Sequence, residues 1–236
     1  MQITLKNGDK LELEAGADAL AAAQKISEGL ARNAVAAKVN GHLCDLSHVL
    51  AEGDTLEIVT LKDKEGLEVY RHTCSHVLAQ ALKTIFPTCK LAIGPVIENG
   101  FYYDVDFKTP ITMEDFSKIE AEMKKIVKEN LTVERFLLPR GEAKKLMEER
   151  NEPYKVLLID RIPEGEDISF YRQGEFVDLC AGPHVTYTSA VKAFKLTSVA
   201  GAYWRGSEKN KMLTRIGGIA FRTQAELDEY LKLLEE

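Results

Sequence analysis

Hydrophobic and polar positions alternate in short runs at the amino terminus, a pattern that predicts strands joined by tight turns. Asn7-Gly8 and Asn40-Gly41 supply hairpin-type turns, and Asp18 is well suited to cap an alanine-rich helix. The order ββαββ over so few residues indicates a half-barrel that holds one helix. The elements predicted here are strands at 2–5, 11–14, 35–39 and 55–59 and a helix from residue 18 to about residue 30.

A charged run marks the end of this first unit. Residues 62–66 read Lys-Asp-Lys-Glu-Gly, which offers no apolar side chain to bury and ends in a glycine expected to be flexible. The sequence therefore predicts two domains, a small ubiquitin-like β-grasp over residues 1–62 and a larger unit over residues 63–236.

The larger unit opens with a long helix, predicted from about Leu67 to Phe86 and ended by Pro87. His72 and His76 lie four residues apart and fall beside its apolar stripe, so they are expected at the edge of a cleft. Cys74 belongs to the stripe and is predicted to be core. The stripe consists of Tyr70, Cys74, Val77, Leu78, Ala81 and Ile85.

The rest of the second unit mixes helices and strands without a regular βαβ alternation, which is typical of an α+β fold. Its predicted hairpins are 91–97 with 101–107, 168–171 with 176–180, and 194–204 with 211–221. Its further elements are a helix from Thr112, a helix at about 142–150, a strand at 155–159 and a last helix from Thr223.

Composition places the chain among ordinary globular proteins. A net charge of −6 and a pI near 5.5 give no whole-chain signal for nucleic acid, so any RNA contact must be local. No apolar run approaches the roughly 20 residues that span a bilayer, and no signal peptide pattern opens the chain, so a cytoplasmic location is expected. The four cysteines contain no C-x-x-C and predict no disulfide framework.

Two separated motifs carry the candidate chemistry. His72 and His76 sit in H-T-C-S-H, and Cys180 and His184 sit in D-L-C-A-G-P-H about a hundred residues later. Two histidines, a cysteine and a third histidine match a zinc ligand set. The same side chains equally suit proton transfer around an ester, because the ordinary pKa of histidine lies nearest neutrality. The residues alone leave both interpretations open.

The segment 192–215 is locally basic. Cations that neutralise phosphates and aromatics that stack on bases suit the end of an RNA, while a solvated hairpin face is the plainer alternative. The candidate RNA-binding residues are Tyr203, Trp204, Arg205, Lys209 and Lys211.

Five motifs in order resemble the amino-terminal half of the bacterial threonyl-tRNA synthetases. Residues 1–62 resemble the TGS domain of that family and the remainder resembles its editing domain. The aminoacylating core is expected to be absent from this chain, so no ligase activity is expected. The motifs are residues 71–76 (RHTCSH), 93–97 (IGPVI) with 100–104 (GFYYD), 154–155 (YK), 178–184 (DLCAGPH) and 201–206 (GAYWRG).

The resemblance implies hydrolysis of seryl-tRNA formed in error on the threonine tRNA. A synthetic site that accepts threonine rejects serine poorly, because one missing methyl group is worth only about 1–3 kcal/mol. A second site that admits serine and excludes threonine completes a double sieve. The resemblance also implies tRNA(Thr) as partner, with its seryl-charged 3′ end at the site. The parent enzyme is then a homodimer and the present chain is expected to be monomeric.

Roles follow from the resemblance together with side-chain chemistry. His72, and secondarily His184, are assigned to activating or positioning water, and Lys155 to stabilising the oxyanion. Asp178 is assigned to the substrate ammonium and Tyr103 to the pocket wall. His76 and Cys180 are expected to line the same pocket.

No cofactor is predicted, with zinc on His72, His76, Cys180 and His184 as the alternative. The related alanyl-tRNA synthetase editing domains bind zinc through a similar set, whereas the threonyl version is thought to work without it. Asp178 is also expected to keep a histidine charged, which would oppose metal binding. Besides a deacylase, a non-catalytic tRNA-binding module and a zinc-dependent hydrolase remain as alternative functions.

Overall fold

The amino-terminal unit is a β-grasp, as predicted. The computed structural model describes all residues, 1–236. Its first sheet has the order β2-β1-β5-β3-β4, in which β1 pairs parallel with β5 and the other pairs are antiparallel. The elements are β1 (Gln2–Leu5), β2 (Lys10–Glu12), α1 (Ala19–Ile26), α2 (Glu28–Asn33), β3 (Ala34–Val39), β4 (His42–Cys44) and β5 (Thr55–Thr60).

Two details of this unit differ from the prediction. The single predicted helix is divided at Ser27, whose hydroxyl accepts the amide of Leu30 at 3.0 Å and so starts α2 as a new helix. The short strand β4 was not predicted, because three residues are too few to show an alternating pattern. The residue directly after this strand is Asp45.

The second unit is α+β, also as predicted, with two antiparallel sheets. One has the order β12-β13-β8-β6, with β7 also paired to β8, and the other has the order β11-β10-β9. The elements are α3 (Lys64–Ile85), β6 (Lys90–Leu91), β7 (Val96–Ile97), β8 (Gly100–Asp106), α4 (Phe116–Lys128), β9 (Glu134–Leu137), α5 (Arg140–Glu149), α6 (Pro153–Asp160), β10 (Ser169–Gln173), β11 (Phe176–Leu179), β12 (Ala193–Tyr203), β13 (Met212–Phe221) and α7 (Gln224–Glu235).

Helix α3 is the central element of this unit. Its predicted stripe is confirmed, since Tyr70, Cys74 and Leu78 are fully buried in the largest core cluster together with residues of β8, α4 and β13. Burial raises the pKa of the Cys74 thiol far above its usual range, so Cys74 is an inert core residue. The stripe therefore fixes the rotation of α3 and, with it, where the two histidines point.

The predicted strand at 155–159 is wrong, because these residues belong to α6. Pro153 occupies the first turn of that helix, where its ring pre-sets the helical φ and its missing N–H is not needed. Val156 to Ile159 is a short apolar run, and such a run does not distinguish a strand from a buried helix by periodicity. The strand β9 was also not predicted.

The junction between the two units is short and packed. Gly66, expected to be flexible, lies in the first turn of α3, and a Cβ there would stand 1.9 Å from the carbonyl oxygen of Thr60. Val59 of the first unit packs with Val69 and Val185 of the second in one apolar cluster. The expectation of a flexible glycine is therefore wrong. We propose that the domains still divide at 62/63, between β5 and α3.

No helix combines the length and apolar character needed to cross a membrane.

Candidate functional site

The four predicted donors meet in space. His72 and His76 lie one turn apart on α3, while Cys180 and His184 lie in the loop that follows β11. One possible ligand atom from each lies within 4.8 Å of the others. The imidazole of His184 packs at a tilt against both neighbours, with ring centroids 4.3 Å from His72 and 4.2 Å from His76. The structure thus brings two distant motifs into one cluster.

The tautomer of His184 is set by Thr73, which sequence reasoning missed. The Thr73 hydroxyl donates to the carbonyl of Val69 at 3.1 Å and accepts the amide of Val185 at 3.2 Å. Its contact with Nδ1 of His184, at 3.0 Å, is therefore best made by an Nδ1–H donor. This leaves the lone pair of His184 Nε2 directed toward Cys180.

Cys180 lies between two imidazoles. Its Sγ is 3.4 Å from Nε2 of His72 and 3.3 Å from Nε2 of His184, and it accepts the amide of Gly182 at 3.3 Å. Burial is the main reason that the pKa of Cys180 is raised to about 12, so the thiol keeps its proton at neutral pH. One S–H proton can serve only one of the two Nε2 atoms.

The histidines of the cluster are neutral. Burial lowers the pKa of His72 to about 4 and that of His76 to about 3, and it lowers the pKa of His184 well below its usual range. Asp178 acts in the opposite direction on His72 and His76, but burial outweighs it. The expectation that Asp178 keeps a histidine charged is therefore wrong.

Lys155, Asp178 and Tyr103 form a second, polar group beside the histidines. The Lys155 ammonium lies 2.9 Å from Oδ1 of Asp178 and donates to the Tyr103 hydroxyl at 2.8 Å. That hydroxyl donates to Oδ2 of Asp178 at 2.6 Å. All three residues are at most 3% exposed. The group is a closed, buried hydrogen-bonded triangle.

The charge of Asp178 persists despite its burial. Burial works against the charged form, but the charge of Lys155 and the hydrogen bonds from Tyr103 and Lys155 outweigh it, so the pKa of Asp178 is lowered. Its Oδ2 also lies 3.6 Å from Nε2 of His76. Both oxygens thus have partners inside the protein. This geometry favours a positioning role for Asp178 over the expected role of holding a substrate ammonium.

Lys155 has one N–H donor that neither Asp178 nor Tyr103 uses. An ammonium has three N–H donors, and Asp178 and Tyr103 account for two of them. Helix α6 is anchored through its own residue Tyr154, whose hydroxyl donates to Asp106 at 2.8 Å and whose ring meets Trp204 edge-on at 4.9 Å. Asp178, which pairs with Lys155, also lies 3.6 Å from His76, so the ammonium stands beside the cluster.

The basic hairpin is only partly available to RNA. Trp204 is 9% exposed and packs in a small core with Ala92 and Leu213, so the expectation that its ring stacks on bases is wrong. Tyr203 is 41% exposed, and Arg205 and Lys209 are exposed. Lys211 is also exposed and pairs with Asp106 at 3.0 Å.

Asp45 and Tyr171, two further residues that sequence reasoning missed, hold the loop that carries His184. Asp45, in the first domain, accepts the amide of His184 at 2.8 Å and the hydroxyl of Tyr171 at 2.6 Å. Gly182 has φ +73°, and a Cβ there would stand 1.9 Å from that hydroxyl, so the loop passes Tyr171 at a distance that only glycine permits. Nothing local in the sequence marks Asp45, because its partners lie more than a hundred residues away.

Comparison with known proteins supports the resemblance seen in the sequence. The TGS domain family matches residues 1–60, and the family described as "Threonyl and Alanyl tRNA synthetase second additional domain" matches residues 168–217. Similar curated proteins include the threonine–tRNA ligases of Acetivibrio thermocellus (59% identical), Caldanaerobacter subterraneus subsp. tengcongensis (58%) and Clostridium tetani (57%). Each match covers the whole chain but only 37% of the relative, so the chain spans little more than a third of these proteins.

Proposed function

We propose that this chain, which is related along its whole length to threonine–tRNA ligases, hydrolyses seryl-tRNA(Thr) and releases serine and free tRNA. An editing role related to tRNA follows already from the two domain families. The observation that carries the finer proposal is the juxtaposition of neutral imidazoles with the buried Lys155. A base and an oxyanion donor on adjoining walls are what ester hydrolysis requires.

His72 is proposed as the group that activates water. The S–H proton of Cys180 satisfies His184 Nε2, whose lone pair the Thr73 contact directs toward it, and His72 is the most exposed of the three imidazoles. A water oxygen attacks the ester carbonyl carbon while His72 takes its proton. The remaining donor of Lys155 stabilises the resulting oxyanion. The carbon–oxygen bond to the ribose then breaks, and the ribose oxygen takes a proton back.

The other two histidines of the two motifs are proposed to shape the pocket. His184 positions the water through the Cys180 contact. His76 is only 3% exposed and forms the buried side of the cluster. Tyr103 and Asp178 hold Lys155 in place. Tyr203, Arg205, Lys209 and Lys211 are proposed to contact tRNA(Thr). We also propose that the chain is a monomer acting in the cytoplasm.

Selectivity between the two aminoacyl esters is the first test. We expect the chain to deacylate seryl-tRNA(Thr) about 10- to 200-fold faster than threonyl-tRNA(Thr), because a pocket that excludes one methyl group provides that range. The measurement is release of radiolabelled amino acid, corrected for spontaneous hydrolysis without protein. Equal rates on both esters would rule out the proposed double-sieve selection against threonine.

Binding of tRNA without any deacylation would favour the alternative of a non-catalytic binding module, which the exposed cations and Tyr203 support.

The donor set also fits zinc, which supports the alternative of a zinc-dependent hydrolase. The contacts of 3.3 and 3.4 Å between sulfur and nitrogen match the edges of a tetrahedral site, and Thr73 orients His184 as an outer partner orients a ligand. His72, His76, Cys180 and His184 would hold the ion, which would act as a Lewis acid. Binding would require Cys180 to lose its proton.

We nevertheless propose a metal-free site, because the Cys180 thiol keeps its proton at neutral pH and that proton satisfies His184 Nε2. Protein purified without added zinc is expected to hold far less than one zinc per chain and to keep its deacylation rate in a chelator. Elemental analysis beside the rate assay measures both. Stoichiometric zinc that is lost together with activity would reverse the proposal. Cys180→Ser against Cys44→Ser, a cysteine outside the cluster, then shows whether the ion occupies this site.

A further inference from the structure

Asp45 connects the β-grasp domain to the catalytic loop of the other domain. We infer that Asp45 and Tyr171 are positioning residues for His184, so that the first domain contributes directly to the geometry of the site. The catalytic part of this inference depends on the proposed function. The positional part does not, because it concerns where the His184 imidazole is held.

The two oxygens of Asp45 act on His184 by different routes. Oδ1 accepts the backbone amide of His184 at 2.8 Å and so fixes the main chain at that residue. Oδ2 accepts the hydroxyl of Tyr171 at 2.6 Å, and the Tyr171 ring meets the His184 imidazole edge-on at 4.4 Å between centroids. One carboxylate therefore holds both the backbone and the ring of the same histidine.

These contacts lie in a protected environment, where they count for more than surface contacts. Tyr171 and His184 are each 2% exposed. Hydrogen bonds to an ionised group are stronger than neutral ones, and loss of one partner leaves a buried donor unpaired. On the opposite side of the ring, Thr73 accepts from His184 Nδ1. The imidazole is thus clamped between the two domains.

Docking of the domains does not by itself explain the role of Asp45. The interface already has an apolar cluster that includes Val35, Val59, Val69 and Val185, and an ion pair between Lys38 and Glu65 at 2.7 Å. Val185 directly follows His184, but these apolar contacts and this ion pair involve no hydrogen bond to the His184 backbone or to Tyr171. Asp45, in contrast, accepts a hydrogen bond from the backbone amide of His184 in the loop of residues 180–184, and docking alone would not require that contact.

Substitution of Asp45 tests the inference in the full chain. Asp45→Asn retains the size of the side chain but has only one oxygen acceptor for two donors. We expect kcat for seryl-tRNA(Thr) to fall about 10- to 100-fold with KM little changed, because small misplacement of a reacting group carries a penalty of that order. Tyr171→Phe leaves the backbone contact intact, so its kcat is expected to fall less than that of Asp45→Asn. The loss of transition-state stabilisation in the double variant should be no greater than the sum of the losses in the two single variants, because both residues act through one unit.

Two matched variants separate positioning from folding and from docking. Asp54→Asn removes a first-domain carboxylate that also has two partners, Asn40 and the amide of Ala51, both at 2.8 Å, but that lies away from the loop. Lys38→Ala removes the docking ion pair. Both are expected to keep the wild-type kcat. A loss of kcat in these variants equal to that in Asp45→Asn would overturn the positioning role.

A readout without substrate distinguishes failure of this inference from failure of the proposed function. The imidazole NMR signals of His184, identified by their loss in His184→Gln, are expected to shift in Asp45→Asn and Tyr171→Phe and to stay in place in Asp54→Asn. Unchanged signals in Asp45→Asn would overturn the inference whatever the activity. If the signals shift in Asp45→Asn and Tyr171→Phe while the wild-type protein deacylates nothing, the positioning role stands and the proposed function is rejected.

Discussion

Replacing Lys155 with methionine is expected to lower the free energy of unfolding by about 3–5 kcal/mol, because it leaves the buried Asp178 without its main counter-charge. Asp178 is 1% exposed, and Lys155 approaches its Oδ1 to 2.9 Å. Deacylation should fall at the same time, since the oxyanion donor is lost. Denaturant unfolding at pH 7 measures the first effect and the rate assay, in protein shown to be folded, measures the second.

A matched control is available on the neighbouring helices. Lys144 of α5 pairs with Asp160 of α6 at 2.8 Å, a similar distance, but both side chains are substantially exposed. Lys144→Met should therefore change stability by less than about 1 kcal/mol, as exposed pairs do, and leave deacylation unchanged. Adding Asp178→Asn to Lys155→Met should restore part of the stability and none of the activity. Equal stability losses at positions 144 and 155 would show that burial of the pair is not decisive.

The half of the site that follows from local periodicity was predictable. The spacing of His72 and His76 beside the apolar stripe of α3 predicted that both lie on one side of the helix, but His76 is 3% exposed and so is buried instead of lying at the edge of a cleft. Cys180 and His184 followed from the D-L-C-A-G-P-H motif and its resemblance to a known family. Each of these inferences uses residues within a few positions of one another, where helix and loop geometry depends on the local sequence.

The remaining features depend on contacts between distant segments. Trp204 looked like an exposed stacking residue among cations, but packing against Tyr154 and Leu213 buries it. Asp178 looked like a ligand for an ammonium ion until Lys155 and Tyr103 were found on its oxygens. The pKa values of the histidines follow from burial, which cancels the effect of a nearby carboxylate that sequence alone suggested.

Replacing His72 with alanine is expected to reduce kcat for seryl-tRNA(Thr) by about 10²- to 10⁴-fold, the usual contribution of a general base. Stability should suffer little, because His72 is only partly buried and its Nε2 contacts a thiol that has His184 as a second acceptor. His48→Ala, at an exposed histidine of the first domain, is the control and should keep the wild-type rate. Single-turnover deacylation separates this chemical step from tRNA binding and release.

The pH dependence of the wild-type rate identifies the same group independently. The base form of His72 is the unprotonated one, and burial lowers its pKa from 6.5 to about 4. The rate should therefore stay level from pH 8 to about pH 5 and fall toward pH 4, rather than halve near 6.5.

The depressed pKa also means that the unfolded chain binds the proton first, so the contribution of this histidine to stability is complete above pH 6.5 and is lost as the pH falls toward 4. Circular dichroism at each pH separates the two effects. A rate that halves near 6.5 in protein that remains folded would assign water activation to a solvated group instead of His72.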